Sequence, residues 1–258
     1  MVVSRPEQAL IRAFYEDYPS LKRVSRELGY SPNTVKKYVQ EDFVVTKQNL
    51  VKKLRSRDER LIGLYVGMWM GDGTQFRSEG GYIVKVCLDS RNSELIAFTQ
   101  WMFSELFGCV SWALTEKGNN RGYVKVHSKF IYEFIRKYCF FDDNKTASVR
   151  LKNSVQEYSR EFLEGCLLGL TLTDGYLRRT FRFNVTSVAL ANNMKDILLY
   201  FGWSAKTYIQ KRDNPRWASL IHTTLLVKDS REVTCVLDEC LEQLGYGKKF
   251  KVLKYGFI

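Results

Sequence analysis

Acidic side chains are the scarce kind in this chain: 28 Asp and Glu stand against 40 Lys and Arg, a formal net charge of +12 over 258 residues. A balance this basic points to a polyanionic partner, with nucleic acid the first candidate. Histidine is scarcer still, with only His127 and His222. Histidine-built zinc sites and histidine general-base chemistry are therefore not expected, and each of the two reads as a strand residue facing nucleic acid or solvent. The six cysteines (Cys87, Cys109, Cys139, Cys166, Cys235 and Cys240) include no C-x-x-C pair and no zinc-ligand spacing to a histidine. They read as buried thiols in a reducing compartment. No apolar run reaches about 18 residues and no secretory leader is visible. The sequence thus predicts no membrane partner and a location in the cytoplasm, or in an organelle interior in a eukaryote. What the chain does have is core material: 45% hydrophobic and 14% aromatic residues.

Two stretches organise the rest. The first, Leu64 to Gly73, reads LYVGMWMGDG, and the second, Cys166 to Gly175, reads CLLGLTLTDG. Each predicts an apolar helix with a small residue every fourth position, ending abruptly in Asp-Gly. Gly67 and Gly71 share one helix face; Gly165, Gly169 and Thr173 share the other. Small residues so placed let two helix backbones approach closely. If the helices pack on these faces and run the same way, Asp72 and Asp174 come side by side at two helix C-termini. The macrodipole makes that the unfavourable end for an acid. Two such ends with two carboxylates are relieved by a hard cation with oxygen ligands. Mg²⁺ between paired carboxylates is a recurrent device for hydrolysing phosphodiesters. The scarcity of histidine suits it, because water bound to a metal takes the place of a side-chain base.

Both stretches resemble the LAGLIDADG motif of the homing endonuclease family. Tyr65 to Gly73 and Leu167 to Gly175 cover the nine motif positions. The sequence departs from the name at Met70 and Leu172, where the motif has an acid, and at Gly71 and Thr173, where alanine is usual. The final acid and the small size before it are kept. The resemblance implies that Asp72 and Asp174 bind catalytic divalent metals, helped by the backbone carbonyls of Gly71 and Thr173. Two motifs in one chain are similar to the family's monomeric branch, in which two repeats form a pseudo-dimer. By position in the repeats, Lys145 and Lys249 match the family's basic residue near the site, with Lys248 the alternative to Lys249. Asp89 and Ser187 match its polar residue at the end of the second strand.

The expected fold class is α+β. Two pseudo-symmetric αββαββα repeats, 60–155 and 156–258, form an antiparallel DNA-binding β-saddle read as one curved sheet of about eight strands. Along the first repeat, Gln75, Arg77 and Lys85 fall on polar strand positions, with Phe76, Val84 and Val86 on apolar ones. Lys117, Arg121 and Lys125 project from its second hairpin. In the second repeat Arg178, Arg182 and Asn184 alternate with Phe181, Phe183 and Val185, and Lys206, Lys211 and Arg212 belong to the last hairpin. A β-surface of this width can lie in a major groove and read base edges.

Residues 1–44 predict a small three-helix domain, joined by a basic linker at 45–59. Its helices are expected at about 7–18, 21–28 and 32–39, with Ser20 and Ser31 as N-caps, Gly29 as the turn and Pro32 at the first helical position. Leu21 to Tyr38 resembles a helix-turn-helix, which would present Asn33, Thr34, Lys36 and Lys37 to a major groove. The leading reading is a monomeric, site-specific DNA endonuclease that makes double-strand breaks at a long target. Its partner is double-stranded DNA and its cofactor Mg²⁺, with Mn²⁺ as a substitute. Two other readings compete: a transcription regulator of the same fold without cleavage, and an RNA maturase assisting intron splicing.

Overall fold

The computed structural model describes residues 10–11, 14–15, 20–40, 57–78, 81–108, 111–115, 120–177, 181–210, 220–225 and 230–246; for Lys37, Gln40, Arg57, Asp58, Leu177, Gln210 and 220–225 it describes the backbone alone. The chain divides into two compact units, Met1–Lys53 and Leu54–Ile258, and the boundary falls inside the stretch read as a linker.

In the first unit, helix α1 spans Leu21–Leu28 and α2 spans Pro32–Gln40. The Ser20 hydroxyl caps α1 by accepting from the Arg23 amide at 3.3 Å. Gly29, at φ +70°, makes the turn, a backbone conformation that glycine adopts without strain. Ser31 Oγ accepts from the Thr34 amide at 3.1 Å and so caps α2. Val24, Val35, Tyr38 and Ile11 bury together, with Phe14 and Tyr15 against them. The helix expected over 7–18 is described only at Leu10, Ile11, Phe14 and Tyr15, which are helical; its bounds lie outside the described residues.

The second unit is α+β. Helix α3 (Arg57–Asp72) is followed by β1 (Gly73–Ser78), β2 (Gly81–Asp89), α4 (Ser93–Phe107), β3 (Trp112–Thr115), β4 (Arg121–His127) and α5 (Lys129–Phe134). A strap of β5 (Cys139–Phe140), a short α6 (Lys145–Ser148) and β6 (Arg150–Leu151) leads on. The order then repeats: α7 (Arg160–Asp174), β7 (Gly175–Leu177), β8 (Phe181–Val185), α8 (Val188–Tyr200), β9 (Ala205–Gln210), β10 (Leu220–Leu225) and α9 (Ser230–Gln243).

The eight long strands form two antiparallel sheets, ordered β1-β2-β4-β3 and β7-β8-β10-β9. Among the described residues no strand of one pairs with a strand of the other, so the single continuous sheet expected from sequence is instead two of four. Helices α3 and α7 join the halves. Each sheet starts on the strand that leaves the end of one of these helices.

The core is the α3–α7 pair, where Leu64, Tyr65, Val66, Met68, Trp69, Leu167, Leu168 and Leu170 lose all solvent contact. A methyl placed on Gly63 would strike the Phe162 carbonyl, and one on Gly67 that of Cys166. On the other helix, a methyl on Gly165 would strike the Arg60 carbonyl, and one on Gly169 that of Leu64. The contacts rise together in both sequences, so the helices are parallel and backbone touches backbone.

Candidate active site

Parallel packing brings the two Asp-Gly ends together. The Asp174 carboxylate lies against Gly71: its Oδ2 is 2.7 Å from where a Gly71 methyl would sit, and the Thr173 hydroxyl crowds the same spot. The glycines that follow the acids are not left-handed turns, since neither appears among the positive-φ residues. They are needed because the first strand residue folds back onto the last helical turn. A methyl on Gly73 would lie 2.5 Å from the Trp69 Cα, and one on Gly175 2.6 Å from the Thr171 Cα.

The carboxyls are starved of compensation. Burial raises the Asp174 pKa to about 7, and repulsion from Asp72 adds to the rise, against the pull of Lys145. Burial likewise raises Asp72 to about 6, opposed by Lys145. Asp72 nevertheless keeps an exposed surface.

Lys145, from α6, meets the end of α3. Its Nζ donates to the carbonyls of Gly71 and Gly73, each at 2.7 Å. The ammonium also sits 4.9 Å from the centre of the Trp69 ring. Burial lowers the Lys145 pKa to about 8, although Asp174 and Asp72 both favour its charged form. One cation thus acts on two carboxylates while bonded to the C-terminal end of α3.

A divalent metal fits this donor set. Among the described residues no cluster of three or more His, Cys, Asp or Glu is placed for a metal, so the oxygens of Asp72 and Asp174 and the adjoining carbonyls are the candidates. Two mutually repelling carboxylates with oxygen-only neighbours suit a hard cation. The Gly71 carbonyl, implied as a ligand by the motif, here accepts the Lys145 hydrogen bond. The Thr173 hydroxyl turns back into its helix, onto Gly169 and Leu170 carbonyls at 3.1 and 3.2 Å.

The polar residues expected to flank the acids each have partners of their own. Asp89 is exposed at the end of β2, clasped by the Arg91 guanidinium at 2.6 Å, which holds its carboxyl down to about 2. Ser187 is buried as the N-cap of α8, accepting from the Leu190 amide and donating to the Val149 carbonyl. Strand register shows why the match between them slips. Gly73 faces Val86 and Gly175 faces Phe183; three residues further on stand Asp89 and Thr186, so Thr186 is the counterpart of Asp89. Lys249 and Lys248 lie outside the described residues.

The open faces of the sheets can be read row by row. In the first, Thr74 faces Lys85, Lys85 faces Lys125 and Lys125 faces Trp112. In the second, Tyr176 faces Arg182, Arg182 faces Thr224 and Thr224 faces Lys206. Asn184 joins the second face beside His222 and Tyr208. Lys85 and Lys125 are like charges directly opposed, an arrangement unfavourable without an anion. Lys85 relieves part of it over the Tyr123 ring at 4.9 Å. The Arg182 guanidinium lies 4.3 Å from the Tyr176 ring centre, and its Nε makes no hydrogen bond among the described residues. Arg121 is exposed opposite Asp89.

Gln75 and Arg77 correct the alternation read from sequence. Gly73 is pressed against Trp69, which sets the parity of β1. Gln75 then shares the covered face with Val84, its amide buried without a hydrogen-bond partner among the described residues. Phe76, expected inside, is 43% exposed on the Lys85 side. Arg77 stands at the strand end, over Tyr82. Lys117, Arg178, Lys211 and Arg212 lie outside the described residues. In the first unit, Asn33 and Lys36 are exposed and Thr34 is half-buried, while Lys37 is described by its backbone alone. Cys235, expected to be buried, is exposed.

Sequence reasoning missed Thr186 and Asn193, which grip the strap that carries Lys145. Thr186 Oγ1 donates to the Thr146 carbonyl at 3.0 Å, and Asn193 Oδ1 accepts from the Leu151 amide at 2.7 Å. Nothing in a single sequence pairs residues some forty positions apart.

No protein-family model matches the chain, and no curated protein matches it. Solved structures do. A structure of mesophilic variants of the homing endonuclease I-DmoI aligns with a TM-score of 0.53 at 14% identity, covering 70% of this chain and 97% of that one. I-DmoI in complex with DNA and Ca aligns at 0.54 and 16% identity, covering 70% and 91%. I-DmoI in complex with DNA and Mn aligns at 0.51 and 16%, covering 69% and 96%. The structural neighbours are LAGLIDADG homing endonucleases, and the likeness is one of fold.

Proposed function

We propose that this protein is a site-specific, divalent-metal-dependent DNA endonuclease that makes double-strand breaks at a long recognition site. The observation that carries the reading is the meeting of Asp72 and Asp174 at two parallel helix ends, with one ammonium acting on both. A repulsive pair of this kind is a liability in a protein that only binds.

Asp72 and Asp174, with the carbonyls of Gly71 and Thr173, would hold Mg²⁺ or Mn²⁺. Bound there, such a cation supplies an activated water and charge neutralisation at the leaving oxygen. The protein's own residues do the rest. The acids stand on rigid helices, one for each strand of the duplex. Lys145 spends two N–H donors on Gly71 and Gly73 and keeps a third for a phosphate oxygen, where its charge offsets the negative charge that develops on hydrolysis. The rows of Lys85 and Lys125, and of Arg182 and Lys206, supply phosphate and base-edge contacts on either side. Helices α1 and α2 extend the contacted site as a helix-turn-helix, with Asn33 and Lys36 at the leading end of α2. The chain acts as a monomer, because both acids come from one polypeptide.

The test is cleavage of a plasmid that carries the gene's flanking sequence, with Mg²⁺. Linear product from the wild type, and none from Asp72→Asn or Asp174→Asn, is expected. Full cutting of both strands by either variant would refute the paired-acid mechanism. The α1–α2 pair favours one second reading, a DNA-binding regulator without cleavage. Metal-independent binding with no nicking of any substrate would select it.

A further inference from the structure

The strap that carries Lys145 belongs in chain order to the first half, yet it is fastened to the second. Its ends are closed by pairing of Cys139 with Leu151 and of Phe140 with Arg150. Phe141 packs on Trp69 of the first half, ring centres 4.7 Å apart. Arg136 of the same half lies over the Phe141 ring, 4.6 Å from its centre, but three hydrogen bonds cross over. The Thr186 hydroxyl, at the end of β8, donates to the carbonyl of Thr146 at 3.0 Å. The amide of Leu151 donates to Asn193 Oδ1, on α8, at 2.7 Å. The buried Ser187 hydroxyl donates to the Val149 carbonyl at 2.9 Å.

The crossing ties, at Thr146, Val149 and Leu151, follow Lys145 along the strap, and its ammonium reaches across to Gly71 and Gly73. We infer that Thr186 and Asn193 are positioning residues: they hold the strap on the second half so that Lys145 is presented to the acid end of the first. The catalytic meaning of that role rests on the nuclease reading; the placement itself does not. The arrangement makes Lys145 a strut between the halves. A buried backbone amide that loses its acceptor must find another, and here the nearest remedy is movement of the strap. An ammonium held by two fixed carbonyls, with Trp69 beneath it, tolerates little of that.

The test reads the ammonium directly, in the full chain without metal or DNA. Lysine is labelled with ¹⁵N, and the Nζ resonance of Lys145 is identified by its loss in Lys145→Met. In the wild type its protons are expected to exchange slowly with water. In Asn193→Ala and in Thr186→Val they are expected to exchange about fivefold faster or more, the effect of one lost hydrogen bond. Asn193→Asp and Thr186→Ser keep an acceptor and a hydroxyl respectively, and are expected to restore the slow exchange. Thermal unfolding of each variant confirms that it is folded. Thr186→Val, at a half-buried position just past β8, keeps the inference falsifiable if Asn193→Ala does not fold.

Unchanged exchange in folded Thr186→Val and Asn193→Ala would overturn the inference, leaving Phe141 on Trp69 and the Ser187–Val149 bond as sufficient anchors. Faster exchange that the conservative variants fail to restore would overturn it too. Because neither metal nor DNA is present, failure here leaves the nuclease reading standing, and failure of plasmid cleavage leaves this placement standing.

Discussion

The two halves of the larger unit agree where they touch and differ where they are open. On the helix faces, Gly63 and Gly67 are matched by Gly165 and Gly169, each meeting a carbonyl of the other helix. On the strands, equivalent rows carry the same kinds of group in different places. Thr74, Lys85, Lys125 and Trp112 in one half stand where Tyr176, Arg182, Thr224 and Lys206 stand in the other. Each row holds two cations, but the second has moved from the third strand to the outermost. The difference separates two demands on one fold. Chemistry requires two acids at one height, which only a nearly symmetric contact delivers. On the nuclease reading, recognition of unlike sequences by the two sheets would require that symmetry to be broken on the outer face.

The comparison can be broken most severely at the helix contact. Gly169→Ala and Gly67→Ala drive a methyl into a backbone that cannot give way. Each is expected to destabilise by about 3 kcal/mol or more, read as loss of a cooperative thermal transition. Gly71→Ala meets mainly the side chains of Thr173 and Asp174 and is expected to cost less stability while disturbing the acids.

At the acids the halves should respond alike. Asp72→Asn and Asp174→Asn are each expected to lower cleavage by about a hundredfold or more, measured on plasmid substrate. The same substitutions should stabilise the metal-free protein. The carboxyls titrate at about 6 and about 7 when folded, above an unfolded value of about 3.9. The folded state therefore binds the proton more tightly, and stability falls as pH rises from about 4 to about 7. Above pH 8 each Asn variant should unfold some degrees higher than the wild type, about 2–4 °C for each 1 kcal/mol recovered. A wild type that gained stability over that pH window would contradict the charge-starved site.

Smaller effects sharpen the contrast between the rows. Lys85→Ala and Arg182→Ala are each expected to reduce the salt slope of DNA binding by about 1. Gln75→Leu should leave that slope unchanged, because Gln75 faces the covered side. It should raise stability by about 1 kcal/mol by removing an unpaired buried amide. If Gln75→Leu weakens DNA binding as Lys85→Ala does, the parity assigned to β1 is wrong.

The helix pair and its acids were legible because their signals are local: small residues at a spacing of four, and Asp-Gly at the end. The signals of the Ser93–Phe107 helix are equally local, since Asn92 caps it and Gly108 ends it. Parity in β1 was not legible. It depends on Gly73 lying against Trp69, a tertiary contact, and one residue of slip exchanges the faces. The match of Asp89 with Ser187 failed for a related reason, since Arg91 and its neighbours lengthen one turn and not the other. The grip of Thr186 and Asn193 on the Lys145 strap is a pairing between distant segments, which residue patterns in one chain do not encode.

At the end of the helix pair away from the acids, Glu164 is buried to 8% exposure between Arg60 and Arg160. Glycine faces alone would tolerate sliding by four residues, which displaces one helix by about 6 Å and leaves the acids at unequal heights. The Arg60–Glu164 pair admits one alignment only. A chimera that grafts either half onto a partner from another protein would therefore need this ion pair as well as the glycines. Without it, two sound halves would be free to dock a turn out of step and leave the two acids unpaired.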